Sequence, residues 1–136
     1  MQIAALWKEI LEKRINQVLP LVEKENLEFR SLGILVALLS ERAECWILWS
    51  NDRVKSVFVT SVRYEEVFRY KYLYIYVVSG TLNRGEWVLV IDTFKTFAKG
   101  KGAQVVLGLS TEPSIARGAE LLGGETQYMV HFPVTL

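Results

Sequence analysis

The sequence predicts an α/β domain of the mixed α+β kind: two N-terminal helices, an antiparallel meander, then a β-α-β-α-β run, all in one domain over residues 1–136. Three observations carry this expectation. Tyr72 to Val78 (YLYIYVV) is an unbroken apolar and aromatic run, too short for a core helix but right for a strand buried on both faces. From Glu86 the period changes: Trp87, Ile91, Phe94 and Ala98 fall three or four residues apart and are flanked by Val90 and Phe97, so one wide helix face is apolar. Between Cys45 and Tyr64, two β-rich runs are separated by Asn51-Asp52, the signature of a hairpin.

Taken in order, Ile3, Trp7, Ile10, Leu11, Ile15, Val18 and Val22 recur at helical spacing and predict a first amphipathic helix, disturbed by Pro20. The charged stretch from Glu23 to Glu28 links it to a second, built on Phe29, Leu32, Leu35, Val36 and Leu39. The hairpin follows as Cys45 to Ser50 and Val54 to Tyr64; Glu65 to Arg69 is a polar return, and the strand after Lys71 completes a three-stranded meander. Ser79-Gly80-Thr81 interrupts the apolar run, and Gly100 and Gly102 end the central helix, as glycines just past a helix do. Ala103 to Leu109 reads as a short strand. Thr111 and Pro113 signal a further helix, from Pro113 to Leu122, stopped at Gly123-Gly124. Thr126, Tyr128, Val130 and Phe132 alternate with Gln127, Met129 and His131, which predicts a closing strand with two different faces.

Composition narrows the function classes. Half the residues are hydrophobic (51%) and the formal net charge is +1, which suits a compact globular chain and gives a polyanion nothing to grip. No nucleic-acid or membrane partner is expected: the longest apolar run, Leu32 to Leu39, is far shorter than a bilayer span, and no basic stretch followed by an apolar core marks a secretory signal. The single cysteine, Cys45, forms no internal disulfide and fits a reducing compartment. It reads as a small buried apolar residue beside Trp46. His131, the one histidine, gives neither a metal cluster nor a Ser-His-Asp arrangement anything to build on, so no metal is expected. The basic residues Arg53, Lys55, Arg63, Arg69 and Lys71 bracket the hairpin and read as solvated strand edges or as a face for an acidic partner. Tyr72, Tyr74 and Tyr76 share one face of their strand while Leu73, Ile75 and Val77 share the other; the tyrosine face is either covered by a helix of the same domain or used as an interface.

This order of elements, with the Asn51-Asp52 turn, the strand-loop-helix from 71 to 102 and the segment GAQVVLGLSTEPSIARGAELLGG, resembles the GNAT (Gcn5-related N-acetyltransferase) fold over most of the chain. Within that superfamily the pattern VTSVRYEEVFRYKYLYIYVVSG, a tryptophan early in the central helix and Phe-Ala-Lys before its end are similar to short phage-encoded GNAT-like proteins. The resemblance implies a cofactor loop between the central strand and helix, where backbone N–H groups and the helix dipole hold the pyrophosphate of acetyl-CoA. It also implies a virion-associated or accessory role, with phage structural proteins or a second copy as protein partner, in the virion or the host cytoplasm.

The family's loop carries Gln or Arg, two residues, Gly, one residue, then Gly or Ala. Here Val78, Gly80, Arg84, Gly85 and Trp87 occupy that region, and no register fits: with Arg84 first, Trp87 and Leu89 fall where small residues belong. Trp87 is expected to fill or cover the phosphate position, so no cofactor is expected, acetyl-CoA being the cofactor of the alternative, catalytic reading. Arg84 and Gly85 are then either a remnant phosphate contact or a solvated arginine and a turn glycine. The tyrosine that many members place four residues before the glycine ending the last helix is Ala119. The candidates left for acid-base work are Glu65 and Glu66, for which the other reading is a solvated polar link, and Tyr128, for which it is a core residue. The expected function is therefore a GNAT-fold binding or structural module with a degenerate loop, the alternative being an acetyl-CoA-dependent N-acetyltransferase acting on a small amine or protein amino group.

Overall fold

In the computed structural model, residues 8–10, 12–14, 40–51, 53–109, 113–130, 132 and 134 are described. The hairpin turn is as short as the sequence demands: β1 (Glu44–Ser50) pairs antiparallel with β2 (Arg53–Glu65), Ser50 opposite Arg53, and Asn51 takes a left-handed φ of 52°. Asparagine tolerates that conformation, and two-residue hairpins that match the strand twist require it. β2 pairs antiparallel with β3 (Tyr70–Gly80), across a return in which Arg69 has φ 57°. Helix α1 (Arg84–Gly100) then crosses to β4 (Ala103–Gly108), which pairs parallel with β3, and α2 (Pro113–Leu121) follows. The sheet order is β1-β2-β3-β4. The first two predicted helices fall largely outside the described residues, as do Thr111 and His131; residues 8–10 and 12–14 are helical.

Apolar side chains pack on both faces of the sheet. On one face Phe58, Leu73, Val90, Phe94 and Ala98 are buried, with Trp46, Ile75, Trp87 and Phe97 packed around them. The rings meet edge to face: Phe94 lies 5.2 Å from Trp46 and 5.5 Å from Phe58, centroid to centroid, at interplanar angles of 61° and 87°. Such pairs add about 0.5–1.5 kcal/mol each to the area they bury. The other face gathers Ile10, Val54, Val57, Val59 and Val77, with Tyr76 beside them. Buried hydroxyls between the two are satisfied. Ser56 Oγ donates to the Ser79 carbonyl, and Thr60 Oγ1 accepts from Trp46 Nε1 at 2.9 Å while donating to Glu44 Oε2 at 3.0 Å.

Several expectations need correcting. Val77 does not share a face with Leu73 and Ile75. The β2–β3 register slips between the pairs Val59–Val77 and Thr60–Ile75, leaving Tyr76 as an extra residue, and a one-residue slip exchanges the faces of everything beyond it. The tyrosine face is partly covered by this chain: the Arg14 guanidinium lies 4.0 Å over the Tyr76 ring, and fully buried Ile10 packs with Val77. Cys45 is exposed rather than buried, because it alternates with Trp46, whose side chain takes the inward position. Partial burial still pushes its thiol pKa above the ordinary 9.0. Lys55 is not a solvated edge cation but an ion-pair partner inside the fold. The closing strand does not form among the described residues: residues 124–130 are neither helix nor strand, and Tyr128 is 95% exposed rather than in the core. Alternation alone supplies two faces but no ladder; a strand forms only when another strand accepts its hydrogen bonds.

Candidate functional site

The chain builds an opening at one end of the sheet. β3 and β4 run parallel from Lys71–Ala103 to Ile75–Gly108, with one slip after Lys71 that leaves Gln104 without a partner on β3; β4 ends there and β3 continues through Gly80, so residues 76–80 have no β4 partner. The Tyr76 bulge sits where the pairing stops, and its carbonyl accepts a long hydrogen bond (3.5 Å) from Arg14. Ligands in sheets of this type bind beyond the carboxyl ends of parallel strands, where neighbouring strands part. Here that place is bounded by Val78, Gly80, the Thr81–Asn83 loop and the amino end of α1.

A second bulge fixes the loop. Leu48 pairs with Ser56 but Trp49 with Val54, so Lys55 is the extra residue of β2. Its carbonyl presses against β3: a Cβ built on Gly80 would lie 2.2 Å from that oxygen, and Gly80 has φ 89°, so only glycine fits on both counts. Its ammonium reaches the other way and meets Glu86 Oε1 at 2.5 Å. Ser79 and Gly80 are thus held by buried hydrogen bonds and a steric stop, and Gly80 N–H donates to Glu9 Oε1 at 3.3 Å.

The amino end of α1 is capped from within. Asn83 Oδ1 accepts from the Glu86 N–H at 2.8 Å, and Glu86 Oε1 accepts from the Asn83 N–H at 2.9 Å, a reciprocal capping box. The Trp87 N–H already bonds the Asn83 carbonyl at 3.0 Å. Of the donors that a helix start offers to an anion, this leaves the Arg84 and Gly85 N–H groups. The carboxylate that would repel a phosphate is the one doing the capping. Hydrogen bonds from Lys55 and from the Asn83 backbone hold the Glu86 pKa below its ordinary 4.5, so the carboxylate stays charged at neutral pH.

Trp87 does not cover this spot. Its ring centroid lies 6.0 Å from that of Phe58, edge to face, and the side chain is half-buried between α1 and the sheet. The reason is helical spacing: Trp87 stands three and seven residues before buried Val90 and Phe94, on the face that packs inward. The group at the helix start that faces this spot is the Asn83–Glu86 box rather than the indole. Asn-x-x-Glu before an apolar run is a recognisable helix-start signal, and with Lys55 in mind it would have pointed to this ion pair.

Of the acid-base candidates, Glu65 and Glu66 are not brought to the opening. Glu65 Oε2 accepts from the Phe68 N–H at 2.6 Å and closes the β2–β3 turn; Glu66 is exposed in that turn. Both lie at the far end of β3, about 30 Å of strand from Gly80 at roughly 3.3 Å per residue. Tyr128 stands in the exposed C-terminal segment and Ala119 on an exposed turn of α2. A shallow surface concavity on the outer side of α1, near Asp92, Thr93, Thr96 and Phe97, is chemically mute: both threonine hydroxyls donate to carbonyls of their own helix, at 2.7 and 3.0 Å. Among the described residues no three of His, Cys, Asp and Glu converge as a metal site.

No protein-family model and no curated protein sequence matches the chain. Solved structures do match. A putative acetyl transferase from Pyrococcus furiosus superposes with a TM-score of 0.65 at 14% identity, over 96% of this chain and 91% of that one. An aminoglycoside acetyltransferase from an uncultured soil metagenomic sample gives 0.62 at 17% identity, over 98% and 91%. Glucosamine-6-phosphate N-acetyltransferase from Arabidopsis thaliana gives 0.57 at 10% identity, over 72% and 70%. At such identities the likeness is one of fold, and the fold of this chain is that of the GNAT acetyltransferases. The similarity to phage-encoded proteins rests on the sequence pattern alone.

Proposed function

We propose that this chain is a GNAT-fold protein that works as a protein-binding or structural module, its acetyl-CoA cradle closed by its own Glu86. One observation carries the reading: at the amino end of α1 the Asn83–Glu86 box takes the Asn83 and Glu86 N–H groups, and the Glu86 carboxylate, paired with Lys55, stands in the electrostatic role that a pyrophosphate would take. Supporting it, the two carboxylates that could serve as acid or base stand at the far end of β3, and Tyr128 is 95% exposed. The phage-like pattern of residues 59–80 suggests a virion-associated or accessory role with a protein partner.

A second reading, an acetyl-CoA-dependent N-acetyltransferase on a small amine or a protein amino group, is favoured by a specific feature: β3 and β4 still part at Ile75 and Gly108, and the matching structures named above are acetyltransferases. A thermal-shift titration with acetyl-CoA separates the two. A ligand present at a hundred times its dissociation constant stabilises the native state by about 2.7 kcal/mol. The module reading expects no shift in melting temperature at millimolar acetyl-CoA; a dose-dependent rise would establish the enzyme reading instead.

A further inference from the structure

At the end of the sheet away from the opening, the β2–β3 hairpin projects past both of its neighbours among the described residues. The first residue of β1, Glu44, pairs with Thr60, so residues 61–65 run on beyond β1, about 16 Å of strand at roughly 3.3 Å per residue. β4 begins opposite Lys71, so Tyr70 and the turn stand beyond β4 as well. That turn, residues 66–69, carries Val67 and Phe68, which are 78% and 81% exposed. Hairpin ends are usually made of Gly, Asn, Asp, Ser or Pro, and two large apolar side chains there add little to the chain's own core.

The tip is tied in place and layered. Glu65 pairs across the ladder with Tyr70, and its Oε2 accepts from the Phe68 N–H at 2.6 Å, so this carboxylate is engaged within the turn. Arg69 holds φ 57°, where glycine or asparagine would sit more easily, and presents an exposed guanidinium beside Phe68. Behind the tip, exposed Lys71 faces Tyr64 across the strands, and Tyr64 is 51% exposed. Arg63 and Lys101 stand at the same end, the first 4.4 Å over the Tyr74 ring and the second 5.5 Å over that of Phe97. These four cations outnumber Glu65 and Glu66, the acids of the turn. From the tip inward the order is apolar, then cationic and phenolic, as at a boundary between acyl chains and phosphate headgroups.

We propose that this tip is a peripheral docking point for an anionic lipid surface: Val67 and Phe68 enter the headgroup boundary while Arg69 and Lys71 lie against the phosphates. A projecting tip needs a soft surface rather than a shaped pocket, and the cations around it select a negative one. No spanning segment is required. Among the described residues no helix is long and apolar enough to cross a membrane, which bears on spanning and not on a surface contact. Two apolar side chains and a few cations make a weak, reversible and salt-sensitive attachment. The tip stands at the end of β3 opposite Gly80, so the proposal goes beyond the module reading and holds whichever way acetyl-CoA binding falls.

Co-sedimentation of the full chain with lipid vesicles tests it, using phosphatidylcholine alone and phosphatidylcholine mixed in equal parts with phosphatidylserine. The wild-type chain is expected to pellet with the mixed vesicles at low salt, to be released as salt is raised, and to stay largely in solution with phosphatidylcholine alone. Phe68→Ser should lower partitioning about tenfold or more through the lost apolar burial. Lys71→Gln should lower it about fivefold, the share of one cation near an anionic surface. Both positions are exposed, so each variant should keep the far-UV circular dichroism spectrum of the wild type; Val67→Ser replaces Phe68→Ser should that variant unfold. A wild type that ignores the mixed vesicles, or binds both kinds equally, overturns the proposal, as does a serine variant that binds as well as the wild type. The first of these would hand the tip to an acidic protein with an apolar pocket, and each would leave the acetyl-CoA titration to decide the module reading by itself.

Discussion

Gly80 shows how much one residue can bind together. Its position is fixed by the Lys55 carbonyl behind it and by a φ of 89° that other residues adopt only with strain. Gly80→Ala is expected to lower stability by about 2–4 kcal/mol, the range of severe steric and backbone changes, read as a lower urea midpoint with an unchanged slope. An unchanged midpoint would mean that the strand end shifts freely and that the opening is not held by the Lys55 bulge. Glu86 titrates in the same neighbourhood. Its folded-state pKa is depressed, so its contribution is fully present above the ordinary value of 4.5 and is lost as pH falls through the lower, folded value. The wild-type melting temperature should therefore fall on acidification below about 4.5, and Glu86→Gln should lack that part of the fall. Equal acid sensitivity in the two proteins would show that the ion pair does not hold the helix end. These residues were only half legible. Gly80 reads as a break in an apolar run, but its need for glycine comes from the Lys55 bulge in the neighbouring strand β2, and no local pattern announces a bulge.

At the scale of elements, α1 was the most legible part of the chain, because Val90, Phe94 and Ala98 declare a buried face by spacing alone. Phe94→Ala removes a ring that touches both Trp46 and Phe58 and is expected to cost about 3–5 kcal/mol. Asn83→Ala should cost about 1 kcal/mol through the lost cap. Chemical denaturation followed by tryptophan fluorescence measures both; a larger effect from Asn83 than from Phe94 would reverse this ranking of packing over capping. Meander and hairpin were also readable, since Asn51-Asp52 is a turn with a mechanism. Face assignment in β3 was not, because the Tyr76 bulge reverses the alternation halfway along. The C-terminal segment misled for the opposite reason: its alternation is real, but pairing depends on a neighbour that a linear pattern cannot show.

For the whole molecule, the proposed module reading turns on one helix end. The parted strands of the GNAT fold are in place, and at the amino end of α1 the chain's own Glu86 carboxylate accepts from the Asn83 N–H and pairs with Lys55. The departure of the loop from the family pattern was visible in the sequence; the occupant was not, since Trp87 looked the larger obstacle and the register that turns it inward is a property of packing. The most direct test is an amide-resolved NMR titration of the wild-type protein with acetyl-CoA at millimolar concentration, following the N–H signals of Arg84, Gly85 and Glu86. Signals that stay in place are what a self-capped helix predicts. Saturable movement of those three amides, at a concentration that leaves the rest of the spectrum unmoved, would contradict it.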